Sequence, residues 1–107
     1  MTAREICLAK LDKTRPVVVL TRATARPAMT KVTVAPITST VKGLSSEVPV
    51  GPENGLDNVG AISLDNVVTI PAVLLGRNVG FLSEPQERRL AVATVLAFDL
   101  DIPLLAD

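Results

Sequence analysis

Arg15 and Thr38 are the two residues in the first half of the chain whose surroundings suit phosphate chemistry. Arg15 stands before Pro16 at the start of an apolar, β-branched run, and Thr38 follows Pro36-Ile37 where a second such run becomes polar. A guanidinium offers several donors in a planar fork that matches phosphate oxygens, and a hydroxyl can donate to the same group. Each residue also has a structural alternative, because the arginine could pair with a nearby acid and the threonine could bond to a local backbone group.

Several residue types are missing from the 107-residue chain, and their absence limits its chemistry. It contains no His, Trp or Tyr, two Phe and one Cys, Cys7. Catalysis by histidine, an intramolecular disulfide and a multi-cysteine zinc site are therefore excluded, and we expect neither a metal nor a cofactor. Two phenylalanines are too few for an aromatic platform that stacks single-stranded bases. Cys7 is predicted to be a small strand residue without a redox role, which fits a reducing compartment.

The net charge of zero conceals a difference between the two parts of the chain. Residues 1–45 carry a formal charge of +6 and residues 46–107 a charge of −6. Such a split can indicate a surface that faces a polyanion, whereas the alternative is that both parts fold into one body and their charges interleave. The basic side chains that could contact phosphates are Lys10, Lys13, Arg22, Arg26, Lys31 and Lys42.

Short β-rich segments separated by Pro and Gly predict five to seven strands in a small, partly open β-barrel. The predicted strands are residues 4–10, 16–21, 31–37, 46–50, 61–64, 67–70 and 76–82. The first should bury Ile6 and Leu8 on one face, and the second should be buried on both faces. Residues 22–30 and 51–58 are predicted loops, and residues 71–75 form at most one helical turn.

One helix is predicted, over residues 84–99. Ser83 and Gln86 have the spacing of a capping box, with Pro85 in the first turn. The helix is apolar almost all round, so one side should pack on the barrel and the other should touch a partner subunit. Phe81 and Phe98 are predicted to lie in the core. The chain shows neither a membrane span nor a signal peptide, which predicts a cytosolic protein.

Several motifs, taken in order, resemble the MazF/PemK/Kid toxin family over nearly the whole chain, which predicts a single domain over residues 1–107. They are Thr14-Arg-Pro-Val-Val-Val-Leu20, Val34-Ala-Pro-Ile-Thr-Ser-Thr40, Lys42-Gly-Leu44, Glu47-Val-Pro-Val50, Gly55-Leu56, Leu64-Asp-Asn66, Leu75-Gly-Arg77 and Val79-Gly80. The resemblance implies a mainly β fold, the small Kid/CcdB-type (Src-homology-3-like) barrel, with a C-terminal α-helix.

The resemblance also implies a function. Members of the family are homodimeric toxins, neutralised by a cognate antitoxin protein, that cut single-stranded messenger, ribosomal or transfer RNA at short sequences. They need no metal and leave a 2′,3′-cyclic phosphate and a 5′-hydroxyl. By resemblance Arg15 and Thr38 are catalytic. Ser39 and Thr40, which follow Thr38, are possible helpers. The expected RNA-binding residues are Lys10, Arg22, Thr40, Lys42, Asp65 and Asn66, and the Asp-Asn pair could equally be an ordinary turn.

One departure from the family leaves the general base open. Many members have a longer connection between the first two strands, whereas this chain has only Asp12-Lys13-Thr14. An arginine side chain is a poor base because its guanidinium holds its proton at ordinary pH. Asp12, Lys13 or a water molecule could accept the proton instead, or the reaction could proceed without a general base. Two alternatives remain: a non-enzymatic poison like the gyrase-trapping CcdB branch, which depends on a Trp that is absent here, and a catalytically inactive binding module.

Overall fold

Seven β-strands and one α-helix lie within residues 3–100, the part of the chain that the computed structural model describes. The strands are β1 (Glu5–Lys10), β2 (Thr14–Val19), β3 (Lys31–Thr38), β4 (Glu47–Val50), β5 (Gly60–Ser63), β6 (Val68–Pro71) and β7 (Leu75–Phe81). The helix α1 spans Glu84–Ala97, and single 3₁₀ turns lie at Arg26–Ala28, Pro52–Asn54, Leu64–Asn66 and Ala72–Leu74. The predicted fold class is confirmed, and each predicted strand is present with its ends within two residues of the predicted ones.

The strands form one antiparallel sheet in the order β4-β5-β3-β2-β1-β7, with β6 also paired to β3. β3 is the strand that joins the parts of this sheet. Its first half pairs with β6, from Lys31 opposite Pro71 to Val34 opposite Val68, and its end pairs with β5 through Ile37 and Thr38. The sheet consequently curves around β3, and the last residues of that strand lie between β2 and β5.

Apolar side chains pack on both faces of the sheet. Val18 belongs to the larger cluster, which β4, β5 and α1 cover, while its neighbour Val17 belongs to a smaller cluster with Ala9, Val32, Val34 and Ile70. Because successive strand residues point to opposite faces, β2 is buried on both, as predicted. The expected one-sided burial of β1 is wrong, since Cys7 is as buried as Ile6 where β1 lies between β2 and β7.

The capping box predicted for α1 is present. The Ser83 hydroxyl accepts from the Gln86 amide at 3.3 Å, and the Gln86 side chain accepts from the Ser83 amide at 2.9 Å. Leu90 and Ala93 are buried against the sheet. At the other end Asp99 has φ of 52°, and the Leu100 amide donates to the Val95 carbonyl, which closes the helix in the manner of a Schellman motif. The helix therefore ends two residues earlier than predicted.

The prediction that Phe81 and Phe98 lie in the core is wrong. Phe81 is 49% exposed at the end of the edge strand β7, and Phe98 is 52% exposed where α1 ends. Val92 and Leu96 on the outer side of α1 are also about half exposed, so the contact of that side with a partner subunit stays a prediction. Among the described residues, no helix has the length and apolar character that a membrane crossing requires.

Candidate active site

A cleft of about 650 Å³ opens beside the first residues of β2 and the last residues of β3. We call it the main cleft; its walls are Leu11, Asp12, Arg15, Pro36, Thr38, Thr40, Lys42, Leu44, Glu47, Ser63, Asp65, Asn66 and Val68. β2 and β3 pair with Val17 opposite Pro36, and the same register continued by two residues sets Arg15 across from Thr38. The sheet thus brings together the two residues that the sequence singles out for phosphate chemistry.

Arg15 has donors to spare. Its Nη2 donates to Asp12 Oδ2 at 3.0 Å, and its Nε is buried without a hydrogen-bond partner among the described residues. The Arg15 side chain is 27% exposed and that of Asp12 is 73% exposed, so the pair is open to solvent on the acid's side. A buried donor without a partner costs about 1–3 kcal/mol, which is a feature typical of functional sites. A guanidinium held by one exposed carboxylate has further N–H groups that can donate to the oxygens of a phosphate group.

Thr38 is held in place by the bend that follows β3. Its Oγ1 accepts a hydrogen bond from the Thr40 amide at 3.0 Å, which is the local backbone bond expected of a threonine at a bend. This contact uses the oxygen as an acceptor, so the hydroxyl proton can still be donated to a ligand. The structural and chemical interpretations of Thr38 are therefore compatible.

Glu47 organises the loop that forms one wall of the main cleft. The residue is only 5% exposed, and its Oε1 accepts from the amides of Lys42, Gly43 and Leu44 at 3.2, 2.8 and 3.1 Å. Its carbonyl oxygen accepts from the Arg89 guanidinium of α1 at 3.3 Å. The sequence predicts Glu47 only as part of a strand. A buried acid at a strand start is a weak local signal, and its role follows from a loop that folds back over it.

Asp65 and Asn66 lie in the 3₁₀ turn after β5, on the wall of the main cleft. Asp65 Oδ2 accepts from the Ser46 hydroxyl at 2.5 Å, and Asn66 Nδ2 donates to the Ser63 hydroxyl at 2.7 Å. The Asn66 bond is local to the turn, whereas the Asp65 bond ties the turn to the segment before β4, and together they fix the orientation of both side chains. Both residues remain exposed, so the other polar atoms of each side chain can reach a ligand.

A second, adjoining pocket of about 440 Å³ shares Arg15, Thr38 and Thr40 with the main cleft. We call it the loop pocket, because its far wall is the loop from Leu56 to Val59. Lys13 and Ser39 face this pocket rather than the main cleft. The sequence treats the loop only as a connection, and its Asp-Asn pair at positions 57 and 58 is too common in loops to indicate a site.

Two of the predicted RNA-binding residues are not placed with the others. Arg22 lines a separate pocket of about 330 Å³ near Arg4, Arg26 and Phe81. Lys10 is exposed at the end of β1, opposite Thr14, and is not among the residues of the main cleft. Lys10 is the last residue of β1 in the first hairpin, and Arg22 lies in the loop that follows β2, so neither is on the walls of the main cleft.

The main cleft and the loop pocket carry both signs of charge. Their cations are Lys13, Arg15 and Lys42, and their acids are Asp12, Glu47, Asp57 and Asp65. The +6 and −6 parts of the sequence therefore interleave at this site, as the alternative interpretation of the charge split required. Among residues 3–100, His, Cys, Asp and Glu do not gather in a group of three that could hold a metal ion.

Arg4, Cys7 and Glu87, away from the main cleft and the loop pocket, have shifted pKa values. Hydrogen bonds from Arg4, at 2.7 and 2.8 Å, lower the pKa of the Glu87 carboxyl below its ordinary value, and the same pair raises the pKa of Arg4. Burial is the main cause that raises the pKa of the Cys7 thiol. A buried thiol with a raised pKa is a poor nucleophile, because little of it is present as thiolate. This agrees with the structural role predicted for Cys7.

Comparison with known proteins decides the family. The model of the PemK-like, MazF-like toxins of type II toxin–antitoxin systems matches residues 4–96. The chain belongs to this toxin family. It is 55% identical over 98 residues to the endoribonuclease MazF3 of Mycobacterium tuberculosis, covering 92% of this chain and 95% of that protein. It is 36% identical over 86 residues to the probable endoribonuclease MazF5 of the same species, covering 79% of each.

Solved structures of PemK/MazF toxins share the fold. The M. tuberculosis toxin MazF-mt6 matches with a TM-score of 0.90 and 55% identity, over 92% of this chain and 99% of that one. A mycobacterial endoribonuclease in complex with its cognate antitoxin matches with a TM-score of 0.83 over 96% of this chain. At 20% identity the second match supports the fold alone. The predicted family and the predicted barrel with a C-terminal helix are confirmed.

Proposed function

We propose that this PemK/MazF toxin is an endoribonuclease that cuts single-stranded RNA within the main cleft, with Arg15 and Thr38 as its catalytic residues. The observation that carries the proposal is the register of β2 and β3, which sets the Arg15 guanidinium across from the Thr38 hydroxyl in one open cleft. The relatives named as endoribonucleases, at 55% and 36% identity, support the same reaction.

The reaction uses a nucleophile that the substrate brings. The ribose 2′-oxygen attacks the adjacent phosphorus, its bond to phosphorus forms, and the bond from phosphorus to the 5′-oxygen breaks. The products are a 2′,3′-cyclic phosphate and a 5′-hydroxyl. Arg15 neutralises the charge that builds on the non-bridging oxygens, and Thr38 donates a hydrogen bond to one of them, with Ser39 at the next position as a helper. Hydrogen-bond donors that are already in position stabilise the transition state strongly, because they need no reorganisation as the charge develops.

The 2′-hydroxyl proton needs an acceptor, and we assign it to Asp12. Its exposed carboxylate lies in the main cleft, 3.0 Å from Arg15 Nη2. Lys13 faces the loop pocket instead and an ammonium group has no lone pair to accept a proton. The leaving 5′-oxygen takes a proton from solvent, which balances the reaction without a histidine.

Base recognition in the main cleft is assigned to Thr40, Asp65 and Asn66, while Lys42 contacts a phosphate. Exposed carboxylate, amide and hydroxyl groups suit the edges of unstacked bases in single-stranded RNA. Lys10 and Arg22, which lie away from the main cleft, contact the RNA backbone only if the strand extends beyond it.

The test is cleavage of a mixed-sequence, single-stranded RNA by the purified protein in EDTA. The wild type should produce fragments whose 5′ ends can be phosphorylated directly and whose 3′ ends are cyclic. Arg15→Ala should cut at least about a hundredfold more slowly, as expected for one electrostatic stabiliser. Arg88→Ala removes an arginine that is exposed on α1 and paired with Glu84, and it should cut like the wild type.

Each failure has a separate meaning. If the wild type does not cut RNA, the nuclease proposal is wrong and a binding poison or inactive module replaces it. If Arg15→Ala cuts as fast as the wild type, the reaction stands but the role of Arg15 does not. Cleavage that stops in EDTA would contradict a metal-independent reaction.

Two partners belong to the proposal. A cognate antitoxin should neutralise the toxin in the cytoplasm, in keeping with the family's type II systems, and a disordered acidic segment of it would compete with RNA for Lys13, Arg15 and Lys42. The toxin should act as a homodimer, because Phe81, Val92, Leu96 and Phe98 are about half exposed. Sedimentation equilibrium at micromolar concentration measures the second point, and a monomer would contradict it.

A further inference from the structure

The loop pocket lies on the opposite side of Arg15 and Thr38 from Asp65 and Asn66. Arg15, Thr38 and Thr40 form the boundary that the loop pocket and the main cleft share. An RNA strand whose scissile phosphate sits at this boundary must place one neighbouring nucleotide in the main cleft and the other in the loop pocket. The sequence assigns Lys13 and Ser39, which line the loop pocket, to other roles and predicts no base-reading residue for this second position.

A glycine allows the loop to lie directly against the catalytic threonine. Gly60 starts β5 and is buried, and a Cβ built on it would lie 2.6 Å from the Thr38 carbonyl oxygen. A side chain at this position would therefore have to push the backbone of Thr38 away. The absence of a side chain at Gly60 brings residues 57–59 next to the reacting groups.

The other end of the loop is also fixed. Asn54 is buried; its Nδ2 donates to the Phe81 carbonyl at 2.9 Å and its Oδ1 accepts from the Gly51 amide at 3.1 Å. Gly55 follows with φ of 87°, a conformation that favours glycine. With both ends held, the loop presents Asp57 and Asn58 to solvent in a defined place.

The chemistry of the loop pocket fits one nucleotide. Asp57 provides acceptors, Asn58 provides both a donor and an acceptor, and Lys13 provides a cation on the facing wall. We propose that the loop pocket binds the nucleotide that adjoins the scissile phosphate on the side away from Asp65 and Asn66. Asp57 and Asn58 read the edge of its base, and Lys13 contacts its outer phosphate. This inference rests on the proposed nuclease function.

The experiment is cleavage of an RNA pool randomised over the cut region, with sequencing of the ends produced. The double variant Asp57→Ala/Asn58→Ala should lose base preference on one side of the cut by roughly fivefold to 150-fold, the discrimination supplied by one good set of base contacts. Preference on the other side should persist. Glu53→Ala, an exposed acid in the preceding turn and outside both pockets, is the matched control and should keep the wild-type preferences.

Binding of short, uncleavable 2′-deoxy oligonucleotides separates this inference from the nuclease proposal. If the wild type binds them with base preference and the double variant loses that preference at one position, the loop pocket reads a base even if no RNA is cut. The inference is overturned if the double variant keeps the wild-type base preferences in both assays. It is also overturned if the double variant loses rate or affinity equally for all RNA sequences. Thermal unfolding of the double variant at the wild-type temperature confirms that the fold is intact.

Discussion

At the scale of single residues, Arg15 combines anchoring with free donor capacity. Asp12 holds one end of its guanidinium at 3.0 Å, and the buried Nε has no partner among the described residues. Arginine presents five N–H donors, so one carboxylate leaves several for a phosphate. Asp12 can therefore remain beside Arg15 while RNA is bound, in position to accept a proton.

Asp12→Asn tests the assigned base. We expect kcat to fall by about a hundredfold or more, the usual contribution of a general base. The free energy of unfolding should change by no more than about 1 kcal/mol, because the ion pair is solvent-exposed on the acid's side. Lys13→Ala is the comparison; if it loses the same factor in kcat while Asp12→Asn does not, the assignment of the base is wrong.

Thr38 is tested by removing its hydroxyl while keeping its shape. Thr38→Val should lower kcat by about 10²–10³-fold, the cost of losing one donor to the developing charge. Thr38→Ser should recover most of the rate, because it keeps the oxygen that accepts from the Thr40 amide. A serine variant as slow as the valine variant, with both folded by circular dichroism, would show that packing rather than the hydroxyl matters.

The sequence identifies the side chains of the site whose chemistry is evident from their type, and misses those whose role depends on packing. Arg15, Thr38, Thr40 and Lys42 were predicted and line the main cleft. Glu47 carries only a weak local signal, because it acts through a loop that folds over it. Asp57 carries none that distinguishes it from other loop residues, because its place beside the site depends on the close backbone contact at Gly60. Exposure of Phe81 and Phe98 was missed because residue type predicts burial and edge positions do not show in the sequence.

At the scale of elements, Glu47 links three parts of the fold. Its carboxylate holds the amides of residues 42–44, and its carbonyl accepts from Arg89 on α1. The loop that carries Lys42 is thus tied to β4 and, through β4, to the helix. The buried Glu47 carboxylate therefore fixes the position of residues 42–44, which belong to no strand.

Glu47→Gln tests this link. A glutamine can keep its oxygen on the amides of residues 42–44, where Glu47 Oε1 accepts now, but its NH₂ group would replace Oε2, which lies 3.3 Å from the Lys42 amide. Loss of the charged acceptor, with a donor group set against the Lys42 amide, should reduce the free energy of unfolding by about 1–3 kcal/mol. KM for RNA should rise more than kcat falls. Urea denaturation measures the first effect, Glu53→Gln is the exposed control, and an unchanged KM would contradict the link to RNA binding.

The ion pair between Arg4 and Glu87 connects the segment before β1 to the first turns of α1. Because the folded-state pKa of Glu87 lies below its ordinary value of 4.5, the pair adds stability above that pH and loses it as the pH falls through the lowered pKa. The wild type should lose up to about 1 kcal/mol more than Glu87→Gln between pH 6 and pH 3, given the exposure of the pair. Urea denaturation at both pH values measures it, and equal losses in the two proteins would contradict the pair's contribution.

The sequence predicts where the strands and the helix lie better than it predicts which strands pair with one another. Punctuation by Pro and Gly located the strands, and Ser83 with Gln86 located the start of α1. Pairing of β3 with β2, β5 and β6 could not be predicted, because strand order depends on contacts far apart in the chain. The end of α1 was missed because its cap uses Asp99 in a left-handed conformation, where glycine is the usual signal.

At the scale of the whole molecule, the charge split of the sequence does not produce a basic surface at the site. Three cations and four acids share the main cleft and the loop pocket. We expect such a mixture to limit nonspecific attraction to a polyanion, since acids outnumber cations on the walls of the two pockets. Selectivity must then come from the position of individual donors and acceptors.

The salt dependence of RNA binding tests this distribution. With Lys13, Arg15 and Lys42 as the contacts, log K should fall against log salt with a slope of roughly −2, since each phosphate contact contributes about −0.7 for a single strand. Lys42→Ala should reduce the slope by about 0.7, and Arg88→Ala should leave it unchanged. Fluorescence titration of a labelled 2′-deoxy oligonucleotide from 50 to 300 mM salt measures the slope; a value near −5 would indicate a much wider basic surface.

The walls of the main cleft come from segments as far apart as Leu11 and Val68, and Leu90 and Ala93 of α1 complete the core beneath them. A chain still being synthesised therefore cannot assemble the cleft until its last helix has left the ribosome. A fragment that ends before α1 contains every wall residue of the cleft but lacks the two side chains that complete the core beneath them. We expect such a fragment to cut no RNA, so that activity begins only when α1 is in place.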